Sequence, residues 1–230
     1  MIALAQLPAE LWVSLALTFR LAAVVTVLLL ALGVFLGRCF SEARSRFWLL
    51  VETLINLPMV LPPTVIGFYL LALFAPDQPI GRFWLKITGE TLTFTFSGLV
   101  VGSVIYSLPY AVQPIAAAFK SVRRVHLEAA VILGASPWRA FWRITLPLSR
   151  RGLVTAAILS FAHTVGEFGV VVMLGGSIPG KTRVASIALY DAVERLDYPT
   201  AYVFAGILLG VSFSLLLLLT WVQKGAPVEE

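Results

Sequence analysis

The sequence predicts an all-α integral membrane protein with five transmembrane helices, its N-terminus outside the cytoplasm and its C-terminus inside. Three observations support this fold class: the composition, five long apolar runs, and the placement of basic residues between those runs. Of 230 residues, 59% are hydrophobic and only 13% are charged, whereas about a quarter of the residues in an average soluble domain are charged. A single globular core cannot hide this much apolar surface behind so few charges.

Five apolar runs are long enough to cross a bilayer, and they cover residues 11–36, 47–74, 91–119, 152–176 and 199–223. At 1.5 Å per residue, a run of about 25 residues spans about 37 Å, which exceeds the ~30 Å hydrocarbon core. The runs have to be helical, because lipid offers no partner to free backbone groups. Residues 1–10 are then expected to form an outer N-terminal segment, and residues 224–230 a cytoplasmic tail.

The charges between these runs predict the orientation of the chain. The segment after the third run holds seven cations against Glu128 alone, namely Lys120, Arg123, Arg124, Arg139, Arg143, Arg150 and Arg151. The segment after the first run is also basic, whereas the segments after the second and fourth runs contain similar numbers of basic and acidic residues. Because basic loops stay in the cytoplasm, the first and third loops are expected inside. The net charge of +5 therefore reflects membrane topology, and nucleic acid is not an expected partner.

The loop 120–151 is predicted to form two short helices joined by a tight corner. Gly134 suits the C-terminal cap of a first helix over about 121–133. Ser136 suits the N-cap of the second helix, with Pro137 at its first position, and Pro147 is expected to stop or bend that helix. The small corner allows the backbone of another protein to approach closely. The composition alone leaves open that the arginines hold the loop on acidic lipid instead.

The spacing in this loop resembles the EAA loop of type I ABC importer permeases. The residues that carry the resemblance are Glu128, Ala129, Ala130, Gly134, Ala135, Ile144, Leu146 and Pro147. Residues 57–63, 166–169 and 177–183 are further similar to molybdate permease subunits, and this similarity extends over nearly the whole chain. The resemblance implies a type I ABC importer permease fold, with residues 11–223 as one permease domain. It also implies that loop 120–151 forms the coupling helices that dock on a cytoplasmic ATPase.

The same resemblance implies a set of partners and a substrate. A homodimer of this chain is expected in the cytoplasmic (inner) membrane, with two ABC ATPase subunits and a periplasmic or extracellular oxyanion-binding protein. The chain is then not an enzyme and binds no cofactor or metal, since ATP and Mg²⁺ are used by the partner ATPase. Molybdate is the expected substrate, with sulfate and tungstate as alternatives. An ion-coupled secondary carrier or channel is the alternative from another class, and it predicts transport without an ATPase.

Residues 175–182 match the P-loop spacing through Gly175, Gly180, Lys181 and Thr182, yet no nucleotide site is expected there. The charge balance places this loop outside, where ATP is scarce. Pro179 has no N–H group to give to a phosphate cradle. No later strand-like run ends in an acidic residue that would hold magnesium. We therefore expect the chain to depend on a separate ATPase.

Two charged residues, Arg20 and Glu167, fall in the outer halves of the first and fourth runs. Charges at such depth face the bundle interior or a wet path. The similar depth predicts that the two form an ion pair, and the alternative makes Arg20 part of a cationic lining for an oxyanion. His163 shares a helix face with Glu167 and is expected to be a hydrogen-bonded core residue. The prolines of segment 57–63 predict a break or kink in the second run.

Overall fold

The computed structural model describes residues 9–42 and 45–224, and this part of the chain is helical without strands. Residues 1–8 and 225–230 of the two predicted terminal segments lie outside the described residues. In chain order the helices are α1 (Ala9–Glu42), α2 (Arg46–Asn56), α3 (Pro63–Leu73), α4 (Pro79–Thr88), α5 (Phe96–Ser121), α6 (Arg124–Ile132), α7 (Pro137–Ala140), α8 (Leu146–Leu148), α9 (Arg150–Val165), α10 (Gly169–Gly175), α11 (Ala185–Glu194) and α12 (Tyr198–Lys224).

Within the described ranges, three helices are long and apolar enough to cross a membrane, namely α1, α5 and α12. They correspond to the predicted spans 11–36, 91–119 and 199–223. The predicted spans 47–74 and 152–176 are bent helix pairs instead of continuous helices. The number of spans rises to five if each bent pair crosses the membrane once.

The first bent pair confirms the break predicted from the prolines. The segment 46–59, which comprises α2 and a 3₁₀ turn at Leu57–Met59, is bent by 112° relative to α3. Pro58, Pro62 and Pro63 surround this break, and each removes a backbone donor that a continuous helix needs.

The second bent pair was not predicted, because residues 152–176 were expected to form one continuous span. The chain bends by 58° between α9 and α10, and the break contains Glu167 and Phe168 with Gly166 and Gly169 on either side. Glycine is a poor helix former, so two glycines this close together weaken the helix at that point.

The core forms where α1 packs along α5 and α9. Leu21, Val25 and Leu29 of α1 are 0–1% exposed and lie in a cluster with Leu99 of α5. Further along α1, the approach to α5 requires a glycine, because a Cβ at Gly37 would lie 2.9 Å from the Ile115 side chain. Small residues at such points let membrane helices pack closely, and this packing fixes the end of α5 from which the loop 120–151 projects.

Candidate functional site

The corner of loop 120–151 is built from backbone hydrogen bonds that close the end of α6. The Ala135 N–H donates to the Ala130 carbonyl, and the Gly134 N–H donates to the Val131 carbonyl, both at 2.9 Å. Gly134 has a φ of +80°, a left-handed conformation that glycine adopts without steric cost. These two bonds form a Schellman motif. The predicted role of Gly134 as the helix cap is confirmed, although α6 begins at Arg124 and not near residue 121.

The second helix of the loop also begins as predicted. The Ser136 hydroxyl accepts a hydrogen bond of 3.3 Å from the Arg139 N–H, and Pro137 occupies the first helical position. A π-helical turn over Phe141–Thr145 follows and ends just before α8, which contains Pro147. Because proline has no N–H for the carbonyl four residues earlier, the regular α-helical pattern cannot continue through it. The loop therefore reaches α9 through three consecutive short helical pieces over residues 137–148.

The predicted loop residues are distributed over the successive elements of loop 120–151. Glu128, Ala129 and Ala130 lie on α6, Gly134 and Ala135 form the corner, Ile144 lies in the π-helical turn, and Leu146 and Pro147 lie in α8. Ala130 is 7% exposed, whereas Glu128 and Ala129 face outward. Burial of Ala130 keeps α6 close to the rest of the loop, and the outward face remains available to a partner.

The corner also presents an apolar surface that the sequence reasoning missed. Ile132 and Leu133 are 85% and 86% exposed, and Val131 directly before them is exposed as well. We call these three residues the apolar tip. Exposed apolar patches of this kind mark interaction sites. The signal in the sequence is the uninterrupted apolar run 129–133 inside a loop that is otherwise basic.

The opposite side of the loop is anchored to the helix bundle through Phe141. Its ring is 6% exposed and meets the Phe119 ring of α5 edge-on, with 5.5 Å between centroids. The Arg38 guanidinium of α1 lies 4.5 Å from the centroid of the same ring, within the range of a cation–π contact. The Ser149 hydroxyl adds a 3.3 Å hydrogen bond to the Ala118 carbonyl. These contacts hold the second half of the loop against α1 and α5.

The ion pair expected between Arg20 and Glu167 is not formed. Arg20 is exposed, and its guanidinium lies 4.7 Å from the centroid of the Phe96 ring. Both carboxyl oxygens of Glu167 are buried, and the polar side chain that faces them is Ser103 of α5. The reason is the rotational position of Arg20 on α1. Leu17 and Leu21 form the face that packs into the core, and Arg20 lies at the edge of that face, where it lines a surface cleft together with Leu17.

Each of these two residues borders a different cavity. Arg20 and Lys181 line a cleft of about 500 Å³ that also contains Glu90. Glu167 and Thr64 belong to a separate cavity of about 440 Å³, located where the breaks of the two bent helix pairs meet. The alternative prediction makes Arg20 part of a cationic lining for an oxyanion. Such a lining would belong to the cleft that Arg20 shares with Lys181, and not to the cavity beside Glu167.

The P-loop-like segment folds into a closed turn. The N–H groups of Lys181, Thr182 and Arg183 all donate to the Ile178 carbonyl at 3.0–3.1 Å. The Thr182 hydroxyl donates to the Gly175 carbonyl at 2.7 Å and accepts from the Ile178 N–H at 3.1 Å. A phosphate cradle needs free backbone N–H groups, and in this turn those groups are engaged internally.

A bundle of long apolar helices with a capped, apolar-tipped loop at EAA spacing defines the membrane subunit of a binding-protein-dependent importer. The family described as the binding-protein-dependent transport system inner membrane component matches residues 29–226. The chain belongs to this family.

Individual relatives and a solved structure agree with this assignment. The chain is 48% identical over 200 residues to the molybdenum transport system permease protein ModB of Azotobacter vinelandii, covering 87% of this chain and 88% of the relative. It is 33% identical over 175 residues to the sulfate transport system permease protein CysT of Synechocystis, covering 76% and 61%. A bacterial alginate ABC transporter, in complex with an alginate pentasaccharide-bound periplasmic protein, shares the fold with a TM-score of 0.73 at 16% identity, covering 96% and 79%.

Proposed function

We propose that this chain is the permease subunit of an ATP-driven importer that carries molybdate across the inner membrane. The observation that carries the proposal is the loop 120–151, whose capped corner presents the exposed apolar tip at the EAA spacing. The substrate assignment follows the molybdenum permease relative, which is 48% identical, whereas the sulfate permease relative is 33% identical. Sulfate and tungstate are the alternative substrates, since both are also tetrahedral dianions.

The proposed assembly is a homodimer of this chain with two cytoplasmic ATPase subunits and an external oxyanion-binding protein. One chain supplies one coupling loop, so two ATPase subunits require two copies, and a closed pair is the commonest oligomer. Each bent helix pair crosses the membrane once, which gives five spans. The N-terminus lies outside and the C-terminus inside, because this orientation places the seven cations of loop 120–151 in the cytoplasm. ATP and Mg²⁺ bind to the ATPase, and this chain holds no cofactor or metal.

Coupling follows from the contacts of the loop. The apolar tip and the outward face of Glu128 and Ala129 dock on the ATPase, and the corner at Gly134 allows close approach. When ATP draws the two ATPase subunits together, Phe141 transmits the movement to α1 and α5 through its contacts with Arg38 and Phe119. ATP shifts the pathway between inward-open and outward-open states only because it binds the two states with different affinity.

The substrate is tested by measuring ATP hydrolysis of the reconstituted complex with its binding protein over a series of molybdate, tungstate and sulfate concentrations. We expect half-maximal stimulation at a molybdate concentration at least about tenfold lower than that of sulfate, a difference of about 1.4 kcal/mol in binding free energy. The binding protein without oxyanion is the control. A complex stimulated preferentially by sulfate would refute the molybdate assignment, and a complex that no oxyanion stimulates would refute the oxyanion class.

An ion-coupled carrier remains the alternative, because intramembrane residues such as Glu167 and His163 occur in proton relays. Such a carrier does not need a loop that docks on an ATPase, and no partner protein would cover the apolar tip. It also predicts transport in the absence of any ATPase, which separates the two functions experimentally.

A further inference from the structure

The outward faces of the long helices differ in polarity. On α12, Leu209, Phe213 and Leu217 are 72%, 66% and 60% exposed, and on α1 Val27 and Phe35 are 67% and 65% exposed. The hydroxyls of Ser214 and Thr220 on α12 donate to carbonyls of their own helix, one turn earlier. These faces offer lipid an apolar surface without unsatisfied donors, as the hydrocarbon core requires.

A contrasting surface runs along α5 and past the two helix breaks. Tyr106, Tyr110 and Gln113 lie on one face of α5, at spacings of four and three residues, and all three are half-buried. The side-chain amide of Gln113 donates a 2.8 Å hydrogen bond to the Asn56 carbonyl oxygen at the end of α2. His163 of α9 is also half-buried and stacks on Tyr110. We call Asn56, Tyr106, Tyr110, Gln113 and His163 the polar strip.

The polar strip is held in place by its own contacts. The rings of Tyr110 and His163 stack with 3.9 Å between centroids and an interplanar angle of 25°, and the Tyr106 ring lies 4.9 Å from His163. The Ser107 hydroxyl is 2.9 Å from the His163 Nδ1 atom. Tyr106 and His163 also line the 440 Å³ cavity at the helix breaks. The strip is thus an ordered surface that continues into an open cavity.

Polar side chains at membrane depth face a bundle interior or a water-filled cavity, because facing lipid is costly. Asn56, Gln113 and His163 retain accessible surface, so the chain's own helices do not fully cover them. We infer that the polar strip lines the oxyanion path and that the strip of a second copy forms the opposite wall. This inference rests on the proposed function and adds the site in the membrane where the substrate passes.

The side chains of the polar strip are better suited to the passage of an anion than to its tight binding. Its side chains offer hydroxyl, amide and imidazole groups that donate hydrogen bonds to an oxyanion, and none of the five carries a fixed positive charge. The cations Arg20 and Lys181 line the other cleft, and the carboxyl oxygens of Glu167 are buried. Conduction requires contacts that are weak enough for the ion to leave. Neutral donors meet that requirement, and selection is left to the binding protein.

The test is the accessibility of single cysteines in the assembled complex, embedded in lipid nanodiscs. The native Cys39 is first replaced by serine, and cysteine is then introduced as Asn56→Cys or Gln113→Cys, with Leu209→Cys and Phe213→Cys as lipid-facing controls. The probe is a negatively charged, water-soluble methanethiosulfonate reagent. We expect the strip cysteines to react at least about tenfold faster than the controls, because only a hydrated cysteine forms the reactive thiolate readily.

Two results would overturn the inference. One is equal, slow modification of the strip and control cysteines, which would mean that no water reaches the strip. The other is oxidative cross-linking of Gln113→Cys between copies without modification by the anionic reagent, which would make the strip a dry dimer interface. Oxyanion-stimulated ATP hydrolysis, measured on the same variants, reports the proposed function separately. Asn56→Cys repeats the test on another helix if Gln113→Cys does not assemble.

Discussion

Replacing Leu133 with aspartate is expected to disconnect the chain from its ATPase. Leu133 is 86% exposed, so Leu133→Asp removes no core packing and the helix bundle should insert normally. In a docked complex the same change buries a carboxylate in an apolar interface, where loss of a central anchor costs about 2 kcal/mol or more. We expect the affinity of the complex for the ATPase to fall by at least about 30-fold. The ATPase retained on the tagged permease at a series of salt and detergent concentrations measures this loss.

The matched control for Leu133→Asp is Ile87→Asp. Ile87 is also apolar and 67% exposed. It lies on α4, which precedes the N-terminal end of α5, whereas the loop 120–151 follows the C-terminal end of α5. This variant should retain the ATPase like the unmodified chain. Equal ATPase retention by Leu133→Asp and the unmodified chain would show that the apolar tip is not the docking surface. Loss of membrane insertion in either variant would appear as loss of the permease itself and is scored separately.

Replacing Gly134 with valine is expected to reduce oxyanion uptake by about 5- to 30-fold. A β-branched residue at a φ of +80° costs about 1–2 kcal/mol, and the alternative is to break the two hydrogen bonds that close the corner. Either outcome displaces the apolar tip relative to Ala130. The measurement is uptake by cells or vesicles at matched permease levels, together with ATP hydrolysis by the complex. Hydrolysis that continues without uptake is the expected signature, because the corner transmits movement.

Gly134→Asn distinguishes two roles of this glycine, namely its left-handed backbone conformation and the space that its missing side chain leaves for a partner. Asparagine tolerates the left-handed conformation better than valine, and a Cβ at this position meets no atom of the chain within 4 Å. Gly134→Asn should therefore retain more uptake than Gly134→Val. Normal uptake by Gly134→Val would contradict the structural account of the corner. If asparagine and valine are equally harmful, the partner's close approach matters more than the backbone conformation.

The local features of the loop could be predicted because each depends on a few adjacent residues. Gly134 as a helix cap, Ser136 as an N-cap and the proline-induced break near Pro58 follow from backbone stereochemistry. The structure reproduces all three. The apolar tip was also visible in the sequence as an apolar run, but its exposure depends on which side of α6 the bundle covers.

The features that were not predicted depend on rotation about helix axes and on tertiary packing. Depth in the membrane suggested that Arg20 and Glu167 pair, but depth does not determine the direction in which a side chain points around its helix. The break at Glu167 has only its neighbouring glycines as a signal, and glycines are also common in continuous membrane helices. The spacing of Tyr106, Tyr110 and Gln113 is readable in the sequence, whereas the side of α5 left uncovered is decided by the packing of α1, α9 and α10 against it.

We expect this chain to move an oxyanion only when an attached ATPase hydrolyses ATP. The most direct measurement is uptake of labelled molybdate into proteoliposomes that contain the permease, the ATPase and the binding protein, with and without ATP on the ATPase side. We expect uptake only when ATP and the ATPase are present, and loss of that uptake in Leu133→Asp. Molybdate uptake by the permease alone, driven by an ion gradient and unaffected by Leu133→Asp, would contradict this expectation.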